Sequence, residues 1–254
     1  MNKISILIVS VIMFSCELQP REQLANESSE NSYPEELSKI FKSHGGIEKW
    51  AKQRALTFTK NDEETYFTAL WERFARVENA ERTIGFDGEQ VWVSPDTIPV
   101  GNARFYHNLY FYFYAMPFVL GDPGINYEEL PTLTILNKEY KGIKVTYADG
   151  IGDSPKDNYI LWYDPMTYQM EWLMYTVTFK SGETSDNYRL IHYSEWTEIA
   201  GLKLPTKLEW HTYQNDSVGD VRSSATFSEI KLSEEPLDFA LFTMPDDAQI
   251  APFE

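Results

Sequence analysis

The chain has a single cysteine, Cys16, so no internal disulfide staples its fold. It is poor in positive charge. Lysine and arginine total 22 against 39 acidic side chains, a formal net charge of −17. That balance argues against nucleic acid as a partner, because phosphate binding needs a basic stripe. It also argues against adhesion to an anionic membrane surface through charge. No apolar run reaches the roughly 20 residues that a membrane-spanning helix needs. The four histidines, His44, His107, His192 and His211, are too far apart in sequence for zinc-ligand spacing. No G-x-S-x-G elbow, G-x-G-x-x-G turn or phosphate-binding loop occurs. The string DGIGDSPKDN at Asp149–Asn158 has aspartates and glycines but neither the spacing nor the closing glutamate of a calcium loop. No cofactor is expected.

What is present begins at the N-terminus. Lys3 is followed by an apolar run from Ile4 to Phe14, broken only by Ser10, then Ser15 and Cys16. The run has the length and flanks of a signal-peptide core. A cysteine directly after it resembles a bacterial lipobox, although Met13 and Phe14 stand where leucine and a small residue are usual. The resemblance implies that residues 1–15 are a signal peptide and that Cys16 is lipidated. An ordinary cleaved signal peptide, or a buried strand with a chance cysteine, is the competing reading. Residues 16–32, rich in Glu, Ser and Asn, read as a tether, leaving 33–254 as one domain.

Pro34 suits the first position of a helix, and Leu37, Ile40 and Phe41 follow at helical spacing. Gly45 and Gly46 stop that helix, and Ile47, Trp50 and Ala51 form a second. From Ala55 the texture has period two. About eleven strand-like stretches, from ALTFTK to VRSSATFSEIKL, are separated by short Asp-, Pro-, Gly-, Ser- or Asn-rich links. Asp87-Gly88 is a hairpin signal, and the absence of βαβ alternation predicts an antiparallel meander. Leu237–Pro245 reads as a terminal segment laying Phe239 and Phe242 on the sheet. One stretch, Asn102–Gly121, is aromatic on every side, which predicts a buried helix ending near Pro117.

The order of tether, HGGIEKW helix pair, long meander and inserted aromatic helix, then YDPMTYQMEWL and WTEIAGLKLPTKLEW, resembles the outer-membrane lipoprotein carrier superfamily. It is closer still to a group of lipoproteins known only as a domain of unknown function. The resemblance implies a mainly β (α+β) fold, a large antiparallel half-barrel wrapped round a lid helix, with a short N-terminal helix pair. It also implies the Gram-negative cell envelope, the outer membrane ahead of the inner. The anchored relatives carry an exposed apolar loop. Pro117–Leu120 is the nearest candidate here, against burial in the core.

A pocket lined by Trp92, Trp162, Trp172 and the helix residues Phe105, Tyr110, Tyr112 and Tyr114 is the leading candidate site. Arg104 and His107, at the start of that helix, would meet a polar head-group. Plain core packing competes for each of these residues. Catalytic carboxylates, if any, would come from Asp149, Asp153, Asp157, Glu171 and Glu195, but Asp and Gly in that loop are also what a turn requires. The expected function is non-enzymatic binding of a lipid or a lipoprotein's acyl chain, with membrane attachment through the N-terminal lipid. The alternatives are recognition of an envelope protein partner and, behind it, a carboxylate-dependent hydrolase. Changing Cys16 to Ser is expected to move the protein from the membrane to the soluble fraction on cell fractionation. Unchanged membrane retention would show that something other than Cys16 holds it there.

Overall fold

A computed structural model describes residues 33–148, 156–179 and 181–252. The signal peptide, Cys16, the tether, Asp149 and Asp153 lie outside them. Two helices, α1 (Glu35–Ser43) and α2 (Ile47–Ala51), precede strands β1 (Ala55–Lys60), β2 (Glu64–Ala69), β3 (Ala75–Glu78), β4 (Thr83–Phe86) and β5 (Val91–Ser94). The helices α3 (Ala103–Tyr106) and α4 (Leu109–Tyr114) and a 3-10 turn, Phe118–Gly121, come next. Then follow β6 (Ile125–Ile135), β7 (Lys138–Tyr147), β8 (Tyr159–Tyr163), β9 (Met170–Tyr175), β10 (Arg189–Ile199), β11 (Leu202–Gln214) and β12 (Ser217–Ser233). A second 3-10 turn, Phe239–Leu241, and β13 (Gln249–Ile250) end the described chain.

All thirteen strands form one sheet in the order β13-β5-β4-β3-β2-β1-β12-β11-β10-β9-β8-β7-β6. Every pairing is antiparallel, and the two ends of the row do not meet, so the sheet is open. The expected antiparallel architecture is therefore what forms, with two more strands than the sequence suggested. Two-residue turns at Leu136-Asn137, Ala200-Gly201 and Asn215-Asp216 hold positive φ at both positions, the geometry whose twist matches the strands it joins. At Asp87-Gly88 the Asp87 carboxylate accepts the backbone N–H of Glu89 and Gln90, and Gly88 takes φ +101°.

Register separates two faces. Leu161, Leu173, Ile191 and Trp210 stand side by side on the inner face. Trp162, Trp172, His192 and Glu209 are their neighbours on the outer face. The inner face meets the main core with the helices, whereas Trp162 and Trp172 belong to a smaller outer cluster under Leu130, Leu133, Tyr213 and Val218. Gly142 and Gly85 leave room for the rings of Trp162 and Trp92, which lie across them from the neighbouring strand.

The connection from β5 to β6 runs between nearly opposite ends of the row. It fills the inner face, as the aromatic stretch predicted, but not as one helix. Asn108, at ψ 0°, interrupts it after α3, and α4 stops at Tyr114, ahead of Pro117. Phe118, Val119 and Leu120 are buried, so Pro117–Leu120 is core and not an exposed loop. In the C-terminal segment Phe242 is fully buried, but Phe239 stays half-exposed with its ring against Phe74.

The helix pair is seated on this connection and on the β10–β11 turn. Trp50 stacks on Phe118 at 4.9 Å, Lys203 N–H donates to the His44 carbonyl, and a side chain at Gly45 would strike Gly201. His44 is fully buried, its Nδ1 2.8 Å from the Ile40 carbonyl and its ring between Trp196 and Phe118. Burial outweighs that bond and pushes its pKa down to about 4. The folded value lies below the unfolded one, so stability is full above the unfolded pKa and is lost as pH falls toward 4. His44 alone should cost ~3 kcal/mol between pH 7 and 4. Urea unfolding at both pH values is expected to show a shallower loss for His44→Asn than for the parent. Equal losses would remove His44 from the account.

Candidate functional site

Helices α3 and α4 divide their side chains between two tasks. Tyr106 and Tyr110 turn toward β1 and β2, whereas Phe105, Leu109 and Tyr112 line a chamber of about 310 Å³. Phe113 joins them, with its ring 4.8 Å from Tyr175. The sheet supplies the opposite wall through Tyr147, Tyr159 and Tyr175, and Val177 and Phe179 continue it beyond β9. Rings touch round the wall, Tyr147 with Tyr159 at 5.9 Å and Phe105 with Phe179 at 5.3 Å. Burial raises the hydroxyl pKa of Tyr147, Tyr159 and Tyr175, so all three stay neutral.

A few polar groups interrupt this wall. They are Arg73 with Asp122, Arg104, His107, Asn108, Asp157 and Thr176. Arg73 donates to Asp122 at 2.5 Å, which ties the β2–β3 turn to the end of the lid. Nδ1 of His107 lies 2.6 Å from the Arg104 carbonyl, and its ring is 5.2 Å from Phe86. Asp157 accepts the Thr178 N–H at 2.6 Å, and burial raises its pKa against that bond.

Tyrosines hold the backbone of the lid's C-terminal half. Tyr193 donates to the Phe113 carbonyl at 2.7 Å, Tyr127 to Leu120 at 2.5 Å and Tyr33 to Gly121 at 3.0 Å. These are carbonyls that broken helices leave without partners. On its other side the lid meets a buried ion pair. Lys60 lies 2.5 Å from Glu64 and donates to the Tyr106 hydroxyl at 2.8 Å, with its charge 4.0 Å above the Tyr110 ring. Tyr106 in turn donates to Glu64 at 2.7 Å. Burial raises the Glu64 pKa, but Lys60, Tyr106 and Tyr66 outweigh it and hold the carboxyl below its ordinary value.

Of the residues proposed from sequence for the pocket, Arg104, Phe105, His107 and Tyr112 do line the chamber. Tyr110 faces Lys60, and Tyr114 is buried between Phe58 and Phe227. The placement of the three tryptophans is corrected. Trp162 and Trp172 are on the outer face, and Trp92 is closed over by the C-terminal segment, its indole N–H donating to the Phe242 carbonyl. In β8 every residue from Ile160 to Tyr163 is buried, so alternation alone does not say which parity faces in. The tyrosines at strand ends were missed. Tyr147, Tyr159 and Tyr175 end or begin their strands, and that shared position at one end of the sheet was the available signal.

The carboxylates also separate. Asp157 is in the chamber wall, but Glu171 accepts from Tyr140 and Lys138 on the outer face, and Glu195 is exposed. Asp157 and Glu171 therefore do not share a cleft, as paired acids in hydrolysis must. Among the described residues no three His, Cys, Asp or Glu side chains are grouped to hold a metal. No described helix is long and apolar enough to cross a membrane.

The model of DUF6503, a family of unknown function, matches residues 93–221. No curated protein matches the chain. Similar solved structures include the LolA superfamily protein NE2245 from Nitrosomonas europaea, 14% identical, covering 82% of this chain and 97% of that one at a TM-score of 0.40. A DUF1329 family protein from Desulfovibrio piger is 10% identical over 75% of this chain and 88% of its own, at 0.41. A putative outer membrane lipoprotein-sorting protein domain from Vibrio parahaemolyticus is 7% identical over 76% and 93%, at 0.34.

The Lys60–Glu64 pair, on which Tyr106 of the lid rests, generates a test of what its charges contribute. Lys60→Met leaves a buried carboxylate without its cation and should destabilise the fold by ~3 kcal/mol. The double variant Lys60→Met/Glu64→Gln is expected to recover most of that loss in urea unfolding. A double variant as unstable as the single one would mean that packing, not charge, sets the cost at this pair.

Proposed function

The chain belongs to the DUF6503 family, and we propose that it is an envelope protein that binds an apolar ligand, a lipid or the acyl chain of a lipoprotein, in the chamber under its lid. The observation that carries this reading is the wall itself, an aromatic and aliphatic surface round about 310 Å³ with a few polar groups set into it. Ligand sites have that composition, and roughly 300 Å³ is the lower end of their size range. If one methylene fills about the ~30 Å³ of a liquid water, the chamber holds on the order of ten methylenes. The family's matched segment takes in the lid and most of the chamber wall, which supports the chamber as the working part of the molecule. Attachment through Cys16 in a Gram-negative envelope, with the outer membrane preferred, belongs to the same proposal and rests on the lipobox.

Partner-protein recognition on the same fold would call for a broad exposed apolar patch. The large apolar side chains exposed among the described residues are Leu136, Met166, Val221, Phe239 and Ile250. Leu136 and Met166 stand on neighbouring turns that Lys138 and Asp164 join at 2.7 Å. Two side chains make a small patch, and the chamber is the better-built feature.

Native mass spectrometry of the chain from residue 16, carrying Cys16→Ser and expressed in a bacterial periplasm, is expected to show a bound mass that leaves on organic extraction. Leu109→Trp, which fills the chamber from the lid side, should abolish it. A clean unliganded mass for the parent protein would sink the reading.

A further inference from the structure

Asp157 is the acid among the described residues that is buried, and it differs from acids that are only partly buried beside a cation. Glu64 has Lys60, Asp122 has Arg73, Glu36 has Lys39, Glu171 has Lys138 and Glu209 has Lys207. Asp157 is 8% exposed, and among the described residues no cation pairs with it. Its partner is Thr178, through the backbone N–H at 2.6 Å and the side chain. A carboxylate offers about four lone-pair directions, so two remain. The Thr178 bond does not explain the charge, because an asparagine would accept the same N–H without the cost of burying an anion. Buried acids without partners are rare and are retained where a ligand supplies the partner.

The place of Asp157 says what that partner is. It stands on the sheet wall immediately before β8, beside Tyr147 and Tyr159. Both tyrosines are neutral and offer a cation ring faces as well as hydroxyl oxygens. The cationic groups of the chamber, Arg73 and Arg104, come from other segments, and Arg73 is held by Asp122. We propose that Asp157 receives the protonated amine of a single-chain amphiphile whose apolar part fills the chamber. This rests on the apolar-ligand reading and adds the chemistry of the head.

The test uses three probes of equal chain length, decylamine, decanoate and decanol, each below its aggregation concentration. They are titrated calorimetrically at pH 7 into the chain from residue 16 carrying Cys16→Ser. Decylamine is expected to bind about tenfold tighter than the other two, the scale of one charge-assisted contact. Asp157→Asn should erase that preference. The unliganded Asp157→Asn protein should melt no lower than its parent. Burial raises this acid's folded pKa, so its stability contribution is lost as pH rises through that value, and removing the charge at pH 7 removes a penalty. Decanoate or decanol binding as tightly as decylamine would overturn the proposal while leaving chain binding intact. So would a preference that survives Asp157→Asn, or a lower melting temperature for that variant. If none of the three binds, the chamber reading and this inference fall together.

Discussion

The chain leaves β5 near one end of a thirteen-strand sheet and re-enters it at β6, the strand at the other end. The connection therefore has to cross a whole face of the sheet, and much of the molecule follows from how it does so. A segment buried on both sides must pair its own backbone groups and be apolar all round. Short helices meet the first demand only in part, because each break frees carbonyls. The hydroxyls of Tyr193, Tyr127 and Tyr33 accept none of the burden by chance. They sit where broken helical backbone needs donors, while their rings remain in the apolar wall. The same double use of tyrosine gives the chamber a surface that is apolar to a chain yet able to bond at its edges.

Two acids on the inner side show how differently burial can be met. Glu64 is surrounded by Lys60, Tyr106 and Tyr66 and remains ionised, so it joins the lid to β1 and β2. Among the described residues, Asp157 meets burial with Thr178. The first arrangement is complete without a ligand and holds the closed lid. The second is incomplete within the described structure, and the missing element is a donor. One face of α3 and α4 is thus committed to structure and the opposite face is left to the chamber, a division that 3.6-residue periodicity makes possible in only ten or so residues.

Sequence reasoning reached the elements better than it reached the site. The helix pair was legible because Leu37, Ile40 and Phe41 share one face and Gly45 stops it at φ +108°. The meander was legible from alternation and turn residues. The lid was legible as a buried aromatic segment but not as broken helices, because the backbone at Asn108 carries no strong local signal. The pocket failed on parity. Where one face of a sheet is wet, alternation identifies the inner face, but here Trp162 and Trp172 are packed under an outer cluster as thoroughly as Leu161 and Leu173 are packed inside. Tryptophan is a poor guide to a cavity in such a sheet. It was placed on the closed face, across glycines that make room for it, and tyrosine was placed at the open one.

The size of the chamber sets a condition on any long ligand. It holds on the order of ten methylenes with the lid closed. A longer chain must displace α3 and α4, and the hydrogen bonds that tie Tyr106 to Glu64 and Lys60 oppose that with a cost of ~3 kcal/mol. Each further methylene buried returns about 0.8 kcal/mol. About four more methylenes therefore balance the latch, so chains near fourteen carbons sit at the point where closed and open lids have similar free energy. On the proposed reading, shorter chains would leave the lid shut, and longer ones would favour a state in which the inner face of the sheet itself becomes the binding surface, the differential affinity for that state coming from the ligand's own length.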